Sequence, residues 1–194
     1  MQRKPAAVAI DVLDRARQGD QAAFEQVFST YQPALLRYLR TLNRHIADDV
    51  ASLAWESAAR SLDRFEGDGD DFRAWIFTIA RRRFVDETRR VARRPERPDG
   101  TKGDWPDPPS ADEQGSGPDW AAAVLSQIPA RQAEVVWLRV VAGLSVSEVA
   151  TLLGVREGNV RAMSHRGLKA IERILSGAGQ PEGDEEGPQI SLVV

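Results

Sequence analysis

Residues 143–166 read GLSVSEVATLLGVREGNVRAMSHR, and the spacing within this stretch decides the kind of fold the chain adopts. Ser145 and Glu148 are placed as a capping box, in which each side chain satisfies an orphan amide of the other residue. A short helix is therefore expected from Ser145, stopping at Gly154. Gly154 suits a turn because it has no Cβ to oppose a positive φ. A longer helix is expected from about Glu157 to Leu175, with Val160, Met163, Gly167, Leu168, Ile171 and Leu175 on its inner face. With Ala150 as the small residue where the two helices approach, the stretch has the order of a helix-turn-helix.

If those positions face inward, Asn159, Arg161, Ala162, His165, Arg166 and Lys169 face outward. This set suits a DNA major groove. An arginine fork matches guanine, and Asn159, His165 and Ala162 add base-edge or thymine-methyl contacts, each good bidentate pair being worth about 1–3 kcal/mol of discrimination. The same residues would also suit the solvated face of an amphipathic helix. The coincidence of capping box, turn glycine and packing residues favours the reading surface. His165 alone decides nothing, because an imidazole pointing into solvent fits equally well.

Upstream of the motif, Gly143 is a C-terminal cap, and Pro129 separates two apolar-striped segments, Trp120–Ile128 and Ala130–Val141. From residue 92 to residue 119 the apolar period disappears, and Pro95, Pro98, Pro106, Pro108, Pro109 and Pro118 alternate with glycines and acids. Such a stretch buries too little surface to offset its ordering entropy, so it is read as a flexible linker. Residues 177–194 are read as a disordered acidic tail for the same reason.

The N-terminal part is also helical by its periodicity. Phe24, Val27, Phe28, Tyr31, Leu35, Leu39 and Leu42 form one stripe of a helix starting near Asp20, with a kink or local break expected at Pro33. A second helix is expected from the acidic pair Asp48 and Asp49, turning Val50, Leu53, Ser57, Ala58 and Leu62 inward. A third follows Asp70 and Asp71 and carries Phe72, Trp75, Ile76 and Ile79. Between them lies the short loop Arg64–Gly69. The fold class is thus all-α, with two small helical domains joined by a linker.

The chain has 194 residues and a formal net charge of −3, which by itself points away from nucleic acid. Placement says otherwise. Arg73, Arg81, Arg82, Arg83, Arg89, Arg90, Arg93, Arg94 and Arg97 face only Asp86, Glu87 and Glu96 over the same stretch, and Phe72, Trp75, Phe77 and Phe84 interleave with them. Arginines among aromatics suit phosphate contact and base stacking on a single strand. A solvated helix flank is the plainer alternative. With no cysteine and two histidines, His45 and His165, thiolate metal sites and cysteine nucleophiles are excluded and imidazole metal sites are disfavoured. No apolar run approaches the roughly 20 residues needed to cross a bilayer. A cytoplasmic protein without cofactor, membrane insertion or small-molecule substrate is expected.

DVLDRARQGDQAAF at 11–24, ADDV at 47–50, LDRF at 62–65, FRAWIFTIAR at 72–81 and DETRR at 86–90 together resemble domain 2 of the extracytoplasmic-function (ECF) group of the sigma-70 family. LSQIP at 125–129, GLS at 143–145, EVA at 148–150 and GNVR at 158–161 resemble its domain 4. The resemblance implies a region 2 domain at 1–91, a linker at 92–119, a region 4 domain at 120–176 and a tail at 177–194. It implies a sigma factor that binds core RNA polymerase and promoter DNA, is often held by an anti-sigma factor, and is not an enzyme. By the same resemblance, Asp48, Asp49, Trp55 and Glu56 would contact the polymerase clamp. Phe65, Glu66, Gly67 and Asp68 would surround a flipped base of the −10 element, and Phe72, Arg73, Trp75, Arg81, Arg82 and Arg83 would hold the melted strand. Asn159, Arg161, Ala162, His165, Arg166 and Lys169 would read the −35 element. The family usually has glutamine and glutamate shortly after the clamp-binding aspartate, where this chain has Ser52 and Leu53. That departure shifts the expected polymerase contact toward Asp48, Asp49 and Glu56.

Two other classes fit parts of the chain. A helix-turn-helix regulator with an N-terminal sensing or dimerisation domain explains the C-terminal part equally well but leaves the arginine and aromatic cluster without a role. A recombinase or transposase would need a carboxylate cluster or an activated hydroxyl in a shaped pocket, and the N-terminal aspartates sit where helix caps explain them.

Overall fold

The computed structural model describes residues 6–92 and 120–177. The expected linker, apart from Ala92, and the expected tail, apart from Gly177, lie outside the described residues, as do Arg93, Arg94 and Arg97. Helices α1 (Ile10–Arg17), α2 (Gln21–Leu42), α3 (Ala47–Ser61) and α4 (Gly69–Ala92) form the N-terminal unit; α5 (Trp120–Leu125), α6 (Ala130–Val136), α7 (Val146–Leu153) and α8 (Glu157–Leu175) form the C-terminal one. There is no strand among the described residues.

Helix α2 begins where Asp20 accepts the amide of Ala23, the N-cap role expected of that aspartate. It then runs on through Pro33 as one continuous helix, so the local break, one of the two outcomes expected there, does not occur. A proline inside a helix costs about 3 kcal/mol, and burial of Tyr31, Leu35, Tyr38 and Leu39 around it offsets that cost. Helix α1 was not anticipated as a separate element. It packs Val12, Leu13 and Ala16 against α2.

Helix α3 carries Asp48 and Asp49 in its first turn, where carboxylates complement the helix dipole. Its buried side is Val50, Ala51, Ala54, Trp55 and Ala58, so the expected inward Leu53 is instead 38% exposed. Helix α4 is capped by Asp68, whose Oδ1 accepts the amides of Asp70 and Asp71 at 2.8 and 3.0 Å. A run of rings ties these helices together: Trp55 lies 4.9 Å from Phe28 and 6.3 Å from Phe72, and Phe72 lies 5.2 Å from Tyr31. Such contacts each add about 0.5–1.5 kcal/mol beyond area burial.

In the C-terminal unit, the capping box forms, with Ser145 Oγ accepting the Glu148 amide and the Glu148 carboxylate accepting the Ser145 amide. Gly143 and Gly154 take φ of +72° and +66°, as their turns require. Helix α6 continues through a wider-wound turn, Trp137–Val141, before reaching Gly143. Helix α8 seats fully buried Val160 and buried Gly167, and a Cβ at Gly167 would lie 2.6 Å from Val136 Cγ2 of α6. Leu168 and Leu175, expected on the inner face, are 44% and 61% exposed. The 3.6-residue period carries them around the helix and away from α6 as it extends past Gly167.

Candidate nucleic-acid and polymerase interfaces

On α8, Asn159, Arg161, Ala162, His165, Arg166 and Lys169 are all exposed. Val160 and Gly167 hold the opposite side against the rest of the unit, so the exposed face is presented by a rigid helix. Arg161 donates to Glu157 Oε2 at 2.6 Å, one turn earlier. An exposed pair of this kind is worth at most about 1 kcal/mol, so the guanidinium is easily handed to a base.

On the N-terminal unit, an open groove of ≈ 470 Å³ runs between α3 and α4, lined by Ser57, Arg60, Ser61, Trp75, Ile79, Arg82, Arg83 and Asp86. Its basic rim and indole wall suit a nucleic-acid strand. Arg83 donates from Nε to Ser57 Oγ at 3.0 Å, which ties the rim of one helix to the other. Ser57, Arg60, Ser61 and Ile79 were not anticipated here. The signal for them is tertiary: the α4 positions 75, 79, 82, 83 and 86 share a face, but nothing in the α3 sequence says which of its positions face that helix.

Other expected strand contacts lie inside the fold. Phe72 is fully buried and Arg73 is 2% exposed. Arg73 donates to Asp70 Oδ1 at 2.6 Å and to the Ala6 carbonyl at 2.9 Å, and its guanidinium carbon lies 5.7 Å from the Tyr31 ring centroid. An arginine spaced one turn from core aromatics is drawn inward when a carboxylate and a carbonyl neutralise it there. Phe65, expected around a captured base, is also buried, 5.4 Å from Phe72 and 4.9 Å from Trp75. Glu66 and Asp68 of the same loop are exposed, and Gly67 takes φ +131°.

Of the residues expected at the polymerase, Asp48, Asp49 and Glu56 are exposed, as is Ser52. Trp55 is only 6% exposed and donates its indole N–H to Gln32 Oε1 at 2.6 Å, so it supports this face from beneath. Phe28 and Leu53, each 38% exposed, give the face an apolar component that the acidic spacing did not announce.

A further cluster joins the two units. Glu134 of α6, 5% exposed, accepts from Tyr38 Oη of α2 at 3.0 Å and from Arg81 Nε of α4 at 2.9 Å, all on one carboxylate oxygen. Trp137 packs beside them, 5.5 Å from Tyr38 and 6.0 Å from Phe77. Burial pushes the Tyr38 phenol well above its usual range, and the negative Glu134 pushes it the same way. For Arg81, burial works against the charge but the Glu134 carboxylate outweighs it, and the pKa is raised. Arg81, expected on the melted strand, is thereby engaged within the protein. Among the described residues no group of three or more His, Cys, Asp or Glu is arranged to hold a metal ion, and no helix is long and apolar enough to cross a membrane.

The geometry defines an all-helical protein with two separate basic surfaces. Residues 27–94 match Sigma-70 region 2, and residues 119–171 match Sigma-70 region 4. The chain is 30% identical over 181 residues to the ECF RNA polymerase sigma factor ShbA of Streptomyces griseus, covering 84% of this chain and 93% of that one. It is 33% identical over 184 residues to the ECF RNA polymerase sigma factor SigD of Mycobacterium tuberculosis, covering 87% and 84%. Among solved structures, RpoE of Bartonella quintana in complex with the anti-sigma factor NepR shares the fold at a TM-score of 0.63 and 23% identity, over 79% of this chain and 96% of that one. CnrH in complex with the cytosolic domain of CnrY does so at 0.55 and 22%, over 86% and 96%. The chain belongs to the ECF sigma factors of the sigma-70 family.

Proposed function

We propose that this sigma factor binds core RNA polymerase and directs it to promoters through the two surfaces described above. The observation that supports this reading is that the two exposed basic surfaces lie on different units, one within the region 2 match and one within the region 4 match. The exposed face of α8, in the region 4 match, reads the −35 element through Arg161, Arg166, His165, Ala162, Asn159 and Lys169. The groove between α3 and α4, in the region 2 match, holds the melted −10 strand through Arg82, Arg83 and Trp75, with Arg60 added to the expected set. The loop takes the flipped base beside Glu66, Gly67 and Asp68, with the buried Phe65 ring supporting it from beneath. Unpairing a promoter costs a few kcal/mol per base, and contacts to the exposed strand offset it.

Asp48, Asp49 and Glu56, with Phe28 and Leu53 beside them, form the polymerase face. No step makes or breaks a covalent bond, so the protein is a recognition subunit and not an enzyme, acting in the cytoplasm with its polymerase. The promoter elements lie tens of ångströms apart along the duplex, so the contact of Glu134 with Arg81 and Tyr38 belongs to the protein off DNA. The RpoE structure holds it in complex with the anti-sigma factor NepR, and an anti-sigma partner is proposed here too. The Pro- and Gly-rich composition of residues 92–119 suits the separation of the two readers on DNA. Run-off transcription with core RNA polymerase on a promoter panel tests the reading. Specific initiation supports it; sequence-specific binding by the protein alone, with no effect on core, would instead indicate a regulator.

A further inference from the structure

Helix α1 has no part in the surfaces above, yet one of its side chains reaches the acidic loop. Arg17 donates from Nη2 to the Gly67 carbonyl at 2.7 Å, across 50 residues of sequence, and from Nη1 to Asp14 Oδ1 at 2.6 Å. Its guanidinium carbon lies 5.2 Å from the Phe65 ring centroid. The third nitrogen, Nε, is buried with no hydrogen-bond partner. Leaving it so costs free energy, and the guanidinium keeps this position only because its other contacts hold it.

The other side of the loop is fixed from α4. Asp71 Oδ2 accepts the Asp68 amide at 3.0 Å, and a Cβ on Gly67, which sits at φ +131°, would lie 2.6 Å from the Asp71 Cβ. Gly67 is thus gripped between Asp71 and Arg17, while Glu66 and Asp68 on either side remain exposed. We propose that Arg17 is a positioning residue: it locks the Gly67 carbonyl and the Phe65 ring so that Glu66 and Asp68 are held ready for a single base. The inference rests on the base-capture role of this loop. An arginine is needed because one planar fork both donates to the carbonyl and stacks on the ring, which lysine cannot do together.

The test uses holoenzyme reconstituted from the full chain and core RNA polymerase. It is offered a pool of promoter-length duplexes randomised across the −10 region, and fragments in heparin-resistant open complexes are sequenced. Arg17→Ala is expected to flatten the base preference at the captured position about tenfold, the combined worth of the stacking and the hydrogen bond. Holoenzyme assembly is expected to hold with only a small drop in thermal midpoint, Arg17→Lys to recover part of the preference, and Arg15→Ala, on the same helix and exposed, to leave the preference unchanged. If Glu66→Ala lowers the preference but Arg17→Ala does not, the loop reads the base and the assignment to Arg17 is wrong. If neither lowers it, the base-capture reading itself fails. If Arg17→Ala and Arg17→Lys both lower stability and every promoter activity in parallel, Arg17 is structural and the proposal is overturned.

Discussion

Glu134 and Arg81 meet at 2.9 Å across the boundary between the two helical units, and the same oxygen of Glu134 accepts the Tyr38 hydroxyl. Both side chains are largely buried, with 7% and 21% exposure, so neither is well compensated by water if the other is removed. Glu134→Gln is expected to weaken the association of the units by about 2–3 kcal/mol, because it leaves Arg81 partly buried without a counter-charge. Small-angle scattering of the free protein should then show a larger radius of gyration than for the unsubstituted chain. An unchanged radius would mean that the packing of Trp137 and of α7 against α4 is enough to hold the units together.

Tyr38 supplies a pH signature for the same contact, and Tyr31, hydrogen-bonded to Val8 and Gly69 in the N-terminal unit, titrates beside it. Tyr31 and Tyr38 are the only two tyrosines, and both pKa values are raised, in each case first by burial. A folded pKa above the unfolded value stabilises the fold up to the unfolded pKa, about 10, and that contribution is lost as pH rises through the folded value. Titration at 295 nm should therefore place both phenolate transitions on the alkaline side of the ordinary tyrosine value of about 10, with stability falling through them. Tyr38→Phe should remove the larger part of the alkaline loss while also forfeiting the hydrogen bond to Glu134.

Two arginines on α4 should separate cleanly by burial. Arg73→Ala removes a side chain paired inside the fold and is expected to cost about 3 kcal/mol, read as a lower thermal midpoint. Arg82→Ala, on the exposed rim of the α3–α4 groove, should leave the midpoint within about 0.5 kcal/mol but lower the salt dependence of single-strand binding by holoenzyme. Equal midpoints for the two variants would contradict the placement of Arg73.

At Gly167 two opposing effects can be weighed. Alanine gains about 1 kcal/mol of helix propensity, but its Cβ would sit 2.6 Å from Val136 Cγ2, and overpacking costs about 1–3 kcal/mol. Valine is stiff at χ1, so the clash should win and Gly167→Ala should melt earlier. Val136→Ala in the same chain should restore part of the loss, a non-additivity measurable in a double-mutant cycle.

For the proposed −35 surface, Arg161→Ala should lower affinity for one preferred duplex by about 1–3 kcal/mol relative to a duplex changed at a guanine, with core binding unaltered. Ser145→Ala should instead lower stability by about 1 kcal/mol through loss of the cap, with the sequence preference kept. The two readouts together distinguish a reading residue from a supporting one.

Local rules were enough to locate most of the helices. Asp20, Asp68 with Asp70 and Asp71, the Ser145–Glu148 box and the glycines at 143 and 154 each satisfy or interrupt backbone within a few residues, so their effects are legible in order along the chain. The outward face of α8 followed from the same arithmetic, because Val160 and Gly167 mark the inner side. Where expectation and structure part, the deciding partner lies far away in sequence. Pro33 is tolerated because the surrounding stripe is buried, and Leu53 and Leu168 stay partly exposed, at 38% and 44%, because their helices bury other faces. Arg73 turns inward because Asp70 and the Ala6 carbonyl neutralise it, and Arg81 is engaged by a carboxylate 53 residues away. An all-helical chain carrying a helix-turn-helix and an arginine-rich helix is legible from residue order alone, since caps and periodicity are short-range. Which arginines stay on the surface and which are paired inside is settled by the packed fold, because the burial of a charge depends on whether another element supplies its counter-charge.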